Sequence, residues 1–457
     1  MTEAVTEADS TAPEVPLSAT VRYRADVVVP CSGTTPVLRP GVVEVSGSVI
    51  THVGTTASTD EVRGIHEVVV NGALMPGLIN VHSHSPMTLF RGSGENLAVM
   101  EWLTDVLWPQ EAHLAAEDVY WGMSLAAAEL LCFGVTTTCE NYFFEDALAD
   151  AVIDAGSRAI VTPGVLRLPG NQAGESWWKV RTDEIIDFHA RRHGDHDRVE
   201  AGFAPHAPYS VPLPVLADVA EAARAVNALF HIHIAETEDE CARFVAEHGG
   251  TEPAILASAG VFDGRVLAAH SIWLTPEDLS IFEDYDVAVA HCPQSNAKLA
   301  SGIAPLTEFL ARGIRVGIGT DGPASNNDLD LWEEIRLAAM LARLRDRDAA
   351  ALPAASALDL ATRGAGLVID RPDLGVLAVG AKADMLAIDL DSPAFTPLLH
   401  DAQLIEHLVW SASSRLVTDV WVGGDQVVSA GQCTTVDVER ARSEVDRRAR
   451  RLLDAAS

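Results

Sequence analysis

Two histidines alternate with isoleucines in Phe230-His231-Ile232-His233-Ile234-Ala235-Glu236, and a carboxylate follows three residues after the second. Side chains alternate along a strand, so His231 and His233 share a face. A neutral imidazole can bind a divalent metal, and a nearby carboxylate can then move protons to or from whatever the metal activates. Taken alone, the pattern equally suits histidines that are merely packed and hydrogen-bonded. Other apolar runs end in matching parts: Asn80-Val81-His82-Ser83-His84, Pro205-His206-Ala207-Pro208-Tyr209, Ala269-His270, His291-Cys292 and Gly319-Thr320-Asp321-Gly322. Three imidazoles (His82, His84 and His233) and the carboxylate of Asp321 suit one divalent ion, zinc first and iron second, with a position left for water. Such an ion brings the pKa of its water toward neutrality. Glu236 is then placed to protonate a substrate ring, His270 to orient the hydroxide, and Asp321 to carry its proton to a leaving group. His231, one layer deeper, reads as a core residue, and nothing in the sequence points to a reactive thiol at Cys292.

The elements that must position these groups follow from the texture of the chain. Eight apolar runs read as strands: Leu78–His82, Val135–Cys139, Ala159–Val165, Glu200–Ala204, Ala228–Ile234, Val266–His270, Val287–His291 and Val316–Thr320. Helix-like stretches separate them, as in Pro214–Val226, where apolar residues recur on one face. Eight β/α repeats predict a (β/α)8 TIM barrel over residues 75–372, whose strand C-termini carry the chemistry. A doubly wound sheet is the alternative, but no GxGxxG follows the first strand. Short β-like runs at residues 19–74 and 373–457 predict one discontinuous β-sandwich-like domain built from both ends of the chain. The arginine-rich run Val438–Ala455 is expected to form a solvated surface helix, and residues 1–18 a disordered tail.

Composition narrows the partners. The chain carries 32 basic and 65 acidic residues, a net charge of −33 in 457 residues. That field disfavours nucleic acid and anionic membranes and leaves a small molecule as the expected ligand. The six cysteines are scattered without a CxxC pair, and the start has no apolar leader-like run. Both features predict a cytoplasmic protein, and homo-oligomerisation is left open.

Pro76-Gly77-Leu78-Ile79-Asn80-Val81-His82-Ser83-His84 resembles the first-strand motif of the amidohydrolase superfamily. The motifs at Glu101-Trp102-Leu103, Pro205–Tyr209, His233–Thr237, Ser295–Leu299 and Gly319–Asn327 resemble a narrower group, the methylthioadenosine/S-adenosylhomocysteine deaminases and their triazine hydrolase relatives. The resemblance implies metal-dependent hydrolytic deamination of an aminated purine nucleoside of the adenosine, 5′-deoxyadenosine or methylthioadenosine type. The alternative is hydrolysis of another N-heterocycle, such as a pterin, a guanine-like base or a chloro- or aminotriazine. By that resemblance His82, His84, His233 and Asp321 bind metal, and Glu236, His270 and Asp321 handle protons. His206 contacts the ring, Glu101 holds the ribose hydroxyls and Trp102 lies beside it. One departure stands out: Pro163 occupies the place of an arginine that binds the amino-acid carboxylate of S-adenosylhomocysteine.

Overall fold

The computed structural model describes residues 20–33, 36–58, 65–170, 174 and 176–456, so the expected tail at 1–18 lies outside the described residues. Four strands come first: β1 (Thr20–Val28), β2 (Gly41–Ser46), β3 (Val49–Gly54) and β4 (His66–Pro76). Nine follow in the barrel: β5 (Leu78–Ser83), β6 (Val135–Tyr142), β7 (Arg158–Val165), β8 (Val199–Ala201), β9 (Ala204–Pro205), β10 (Leu229–Ile234), β11 (Arg265–His270), β12 (Ala288–His291) and β13 (Val316–Ile318). The chain ends with β14 (Met385–Ile388), β15 (Val417–Val422), β16 (Asp425–Ser429), β17 (Gln432–Cys433) and the helix Val438–Ala456.

The barrel strands run parallel in two arcs, β5-β6-β7-β8 and β10-β11-β12-β13, with β9 beside β7. Bridges Phe203↔Phe230 and Ser83↔Asp321 close the arcs into a barrel. Helices lie between the strands, as the sequence pattern predicts. The expected fourth strand is split into β8 and β9 around Gly202, where a Cβ would sit 2.7 Å from the Leu229 carbonyl oxygen. The β5/β13 seam is welded by Asn80, whose amide donates to the Thr320 hydroxyl (2.7 Å) and accepts from the Thr320 amide (3.1 Å). Gly319 permits the approach, since a Cβ there would lie 2.8 Å from the His82 backbone oxygen.

Both chain ends build a second sheet of order β17-β16-β15-β14-β4-β1-β2-β3, joined where β4 pairs antiparallel with β14. Tyr23, Val43, Ile50, Leu74, Met385 and Trp421 pack together in its core. Because β4 runs into β5 through Gly77, this domain is anchored directly to the first ligand-bearing strand. The C-terminal helix differs from the solvated helix expected. Its Arg448 is buried and pairs with the buried Asp118 (2.9 Å), and Ala441, Val445 and Leu452 are buried as well. A long arginine stem can pack against apolar surface while its head is neutralised, so arginine content alone does not mark a solvated face.

A buried ion pair at the base of β7 also ties the β-domain to the barrel. Arg158, at the start of β7, grips Asp384 through Nε (3.0 Å) and Nη2 (3.1 Å), each side chain being only 2% exposed. Asp384 also accepts from the Gly423 amide (2.7 Å). Replacing Asp384 by Ala should strand a buried guanidinium and destabilise the protein by about 3–5 kcal/mol. Arg158→Met/Asp384→Leu should recover much of that loss. Denaturant midpoints for the three proteins check this, and an unchanged midpoint for Asp384→Ala would show that the pair is not a structural tie.

Candidate active site

Each functional side chain sits at or just past a strand C-terminus, and each imidazole is oriented by its second nitrogen. His84 Nδ1 donates to the Asn141 carbonyl (2.5 Å), and His233 Nδ1 donates to the His206 carbonyl (2.7 Å). His82 Nδ1 lies 2.7 Å from Nε2 of His231, whose own Nδ1 is 3.3 Å from the Thr162 hydroxyl. His231 is therefore the buried support of His82, in keeping with its deeper position. These bonds fix the tautomers and turn the Nε2 lone pairs inward. Asp321 is held from behind by the Ser295 (2.6 Å) and Ser325 (2.9 Å) hydroxyls on Oδ2. Its Oδ1 faces Nε2 of His82 (3.4 Å) and His84 (3.2 Å).

The centre is arranged for a cation. Nε2 of His82 is buried without a hydrogen bond, and Nε2 of His84 and His233 face each other at 3.2 Å with both Nδ1 positions occupied. Opposed lone pairs around a carboxylate are stabilised by a shared positive charge and by little else in a dry site. Donor atoms of His82, His233, His270 and Asp321 all lie within 4.8 Å of one another. With His84 there are thus five inward donors for a four-ligand set. His270 is distinguished by its neighbours: Nδ1 is 2.8 Å from the Asn296 amide oxygen and Nε2 is 4.0 Å from Glu236.

Burial governs the electrostatics. It pushes His82 down to about 4 and His206 down to about 3, and holds His233 well below the usual range. Burial likewise raises Glu236, against the opposing charge of His270. For Asp321 burial acts upward too, but its interactions with His82 and His84 prevail and keep the carboxyl well below the usual range. The site thus joins an acid poised to hold a proton with a carboxylate poised to stay ionised.

These groups open into one cavity whose walls include Trp102, Leu103, Trp108, Tyr142, Phe143, His206 and Leu299. Trp102 and His206 are thus part of the cavity wall. Glu101 is not: it is exposed and absent from the lining. Neighbouring helical residues point about 100° apart, and Trp102 takes the inward direction. Besides Glu236 and Asp321, the carboxyl in the cavity wall is that of Glu111, buried, bonded by the Tyr142 hydroxyl (2.9 Å) and pushed by burial up to about 7. It was missed because the helical run from Val99 to Glu111 contains a wide π turn at Leu103–Leu107, which breaks a regular helical count.

Comparison with known proteins adds four findings. Residues 73–427 match the amidohydrolase family. The 5-methylthioadenosine/S-adenosylhomocysteine deaminase of Pelotomaculum thermopropionicum is 39% identical over 439 residues, 95% of this chain and 99% of that protein. A solved adenosine deaminase from Xanthomonas campestris with bound zinc has a TM-score of 0.89 and 35% identity, covering 96% of this chain and 100% of that one. An atrazine chlorohydrolase of Arthrobacter aurescens complexed with zinc shares the fold, with a TM-score of 0.85 and 24% identity over 94% of this chain and 100% of that one.

The donor set is expected to hold one divalent ion per chain. His84→Ala and His233→Ala should each lose it on dialysis against a weak chelator, whereas His270→Ala should retain it. Metal analysis decides: full metal in His233→Ala would remove that residue from the ligand set, and metal loss in His270→Ala would exchange it with His84.

Proposed function

The chain belongs to the amidohydrolase family, and we propose that it hydrolytically deaminates an aminated purine nucleoside of the adenosine, 5′-deoxyadenosine or methylthioadenosine type. The observation that supports this most directly is the convergence of the inward imidazoles and Asp321 on one apolar cavity that also holds Glu236, whose carboxyl burial pushes upward. We assign His82, His84, His233 and Asp321 as the metal ligands, with zinc the favoured ion and iron the alternative. A divalent ion held there supplies Lewis acidity that makes water a nucleophile near neutral pH.

The chain's own residues account for the proton movements. Asp321 accepts the proton of the attacking water, and His270 hydrogen-bonds the incoming oxygen. Glu236 donates its proton to the ring nitrogen next to the reacting carbon, so that the ring does not accumulate negative charge. Asp321 then returns its proton to the amino group, which departs as ammonia, and the remaining hydroxyl proton passes to the Glu236 carboxylate, restoring that acid as the oxygen becomes the ring carbonyl. His206, kept neutral by burial, stands where it contacts the base.

The carboxylate that reads two adjacent ribose hydroxyls is Glu111 in this reading, taking the role expected of Glu101. A carboxyl with this placement favours a nucleoside over the alternative free heterocycles such as triazines. The far end of the cavity lacks a cation: among the described lining residues there is neither lysine nor arginine. Pro163 replaces the expected arginine, and neither nearby arginine is free to substitute. Arg181 forks onto Glu145 through Nη1 and Nη2 (2.9 Å each) while its Nε donates to the Gly164 carbonyl (3.1 Å). Arg167 stacks over Trp178, 4.9 Å from the ring centre.

Two measurements test this reading. Glu236→Gln should keep its metal and lose about 100- to 10,000-fold in kcat, the usual contribution of a proton-transfer group; a loss below tenfold would assign the ring proton to another group. A charge-assisted hydrogen bond contributes roughly 1.5–3 kcal/mol. S-adenosylhomocysteine should therefore lose about 10- to 100-fold in kcat/KM relative to enzymes that carry the arginine, and here be a poorer substrate than methylthioadenosine. Steady-state kinetics with ammonia detection checks this, and a preference for S-adenosylhomocysteine would overturn it.

A further inference from the structure

Behind Glu236, on the side away from the cavity, lie two glutamates that the chemistry above does not use. Glu240 and Glu252 are buried, at 3% and 2% exposure. Glu252 Oε2 accepts from the Ala235 amide (2.8 Å), and Glu240 Oε2 accepts from the amides of Glu236 (3.2 Å) and Thr237 (3.1 Å). Three consecutive amides of the turn after β10 are thus bound by two carboxyl groups. The remaining oxygens, Glu240 Oε1 and Glu252 Oε1, are both buried without a hydrogen-bond partner.

Part of this arrangement is ordinary. Thr237 and Glu240 form the capping box of the helix Glu238–His248. A capping box accounts for the Thr237 amide but not for the Glu236 amide, for Glu252, or for the exclusion of both carboxyls from water. Around the pair stand Glu236 on the turn, Cys241 on the same helix, Asp278 on the helix Pro276–Asp284 and Tyr209 after β9. All are acidic or neutral, and among the described residues neither Glu240 nor Glu252 is in an ion pair with a lysine or arginine. Two carboxyls buried behind the same turn resist double ionisation, and a proton shared between them would answer the two unpartnered oxygens.

We propose that Glu240 and Glu252 are a positioning pair for Glu236, joined by one shared proton and clamping the turn that carries it. The proposal rests on the reading of Glu236 as the proton carrier. The backbone shows why a clamp is needed: Ala235 has φ of +51°, a left-handed conformation disfavoured for a residue with a Cβ. Its amide is held by Glu252, and its carbonyl accepts from the amides of Ile272 and Trp273, both at 3.0 Å. That turn sets the position of Glu236 relative to His270. Loss of the clamp lets the acid drift from its working position, and a displacement of about 1 Å can cost on the order of 100-fold in rate.

A shared proton makes an unusual demand on variants. Glu252→Gln or Glu240→Gln alone keeps one donor and the acceptors, so each should retain most of the wild-type kcat. Glu240→Gln/Glu252→Gln sets two NH2 groups against each other. It should lose about 100-fold in kcat, with metal content unchanged and faster amide hydrogen exchange at Ala235–Thr237. A double variant no worse than the product of the singles would overturn the proposal, as would unchanged exchange.

The pH profile gives a second readout, which decides if the double variant does not fold. Burial raises both carboxyls, Glu252 to about 7. The folded pair therefore keeps a proton that an unfolded glutamate releases above about 4.3, and the clamp weakens as pH rises through the folded value. Wild type should show an alkaline decline in kcat that is reduced in Glu252→Gln; coincident profiles would count against the shared proton. Exchange at Ala235–Thr237 needs no turnover, so it judges the clamp even if Glu236→Gln shows that Glu236 is not the proton carrier.

Discussion

An imidazole presents a single inward lone pair only when its other nitrogen is engaged, and the geometry of the centre depends on that condition. Three backbone or side-chain partners meet it: the carbonyls of Asn141 and His206, and the ring of His231. Each partner belongs to a different strand from the histidine it orients, so the tautomers follow from barrel closure and not from local sequence. The loops beyond the strands need fixing too, and buried carboxyls do this. Glu140 accepts the amide (3.0 Å) and hydroxyl (2.6 Å) of Ser85, one residue past His84. Glu334 accepts the Gln294 amide (2.9 Å) and the Asn326 side chain (2.5 Å), joining the loops after β12 and β13. With Glu240 and Glu252 after β10, a tier of acids lies outside the ring of imidazoles.

Strained backbone occurs in the same places. Ala235, His270, Ser271 and Asp321 all have positive φ although none is glycine. Such conformations persist where the surroundings over-determine them. Here parallel strands end abruptly, and their last residues turn inward instead of continuing the ladder. Hydrogen bonds from adjacent loops offset the cost. A site assembled this way is rigid before any ligand arrives, which is the requirement for transition-state stabilisation by fixed groups.

Much of this was legible in the sequence, for a definite reason. Strands of a parallel barrel are buried on both faces, so they read as nearly continuous apolar runs, and polar residues at their ends stand out. His82, His84, His233, His270 and Asp321 were found that way, and the structure brings them together. The discontinuous β-domain was legible because short strands with glycine turns flank the barrel on both sides. Glu111 was not legible, since a π turn alters the helical phase between it and Trp102. Nor was Glu252, which lies sixteen residues beyond Glu236 and meets its turn only through the fold. Arg448 misled in the opposite direction, because burial of an arginine depends on partners such as Asp118 that pattern alone does not supply.

The two ends of the barrel solve different physical problems. At the N-terminal end, arginines and acids interlock: Arg265 with Asp370 (2.7 Å), Arg315 with Asp286 (3.0 Å) and Asp370 (3.1 Å), and Arg371 with Asp373 (2.7 Å) and with Glu200. These pairs are partly exposed and linked through shared partners, an arrangement in which ion pairs contribute more than they do singly. At the C-terminal end the charges are buried, cations from lysine or arginine are absent from the described cavity lining, and the backbone is strained. Such an end is locally destabilising, because acids and imidazoles there are withheld from water without full compensation. The arginine network and the β-domain tie hold the opposite ends of the same strands, so the strained face is carried by elements whose stability is secured elsewhere.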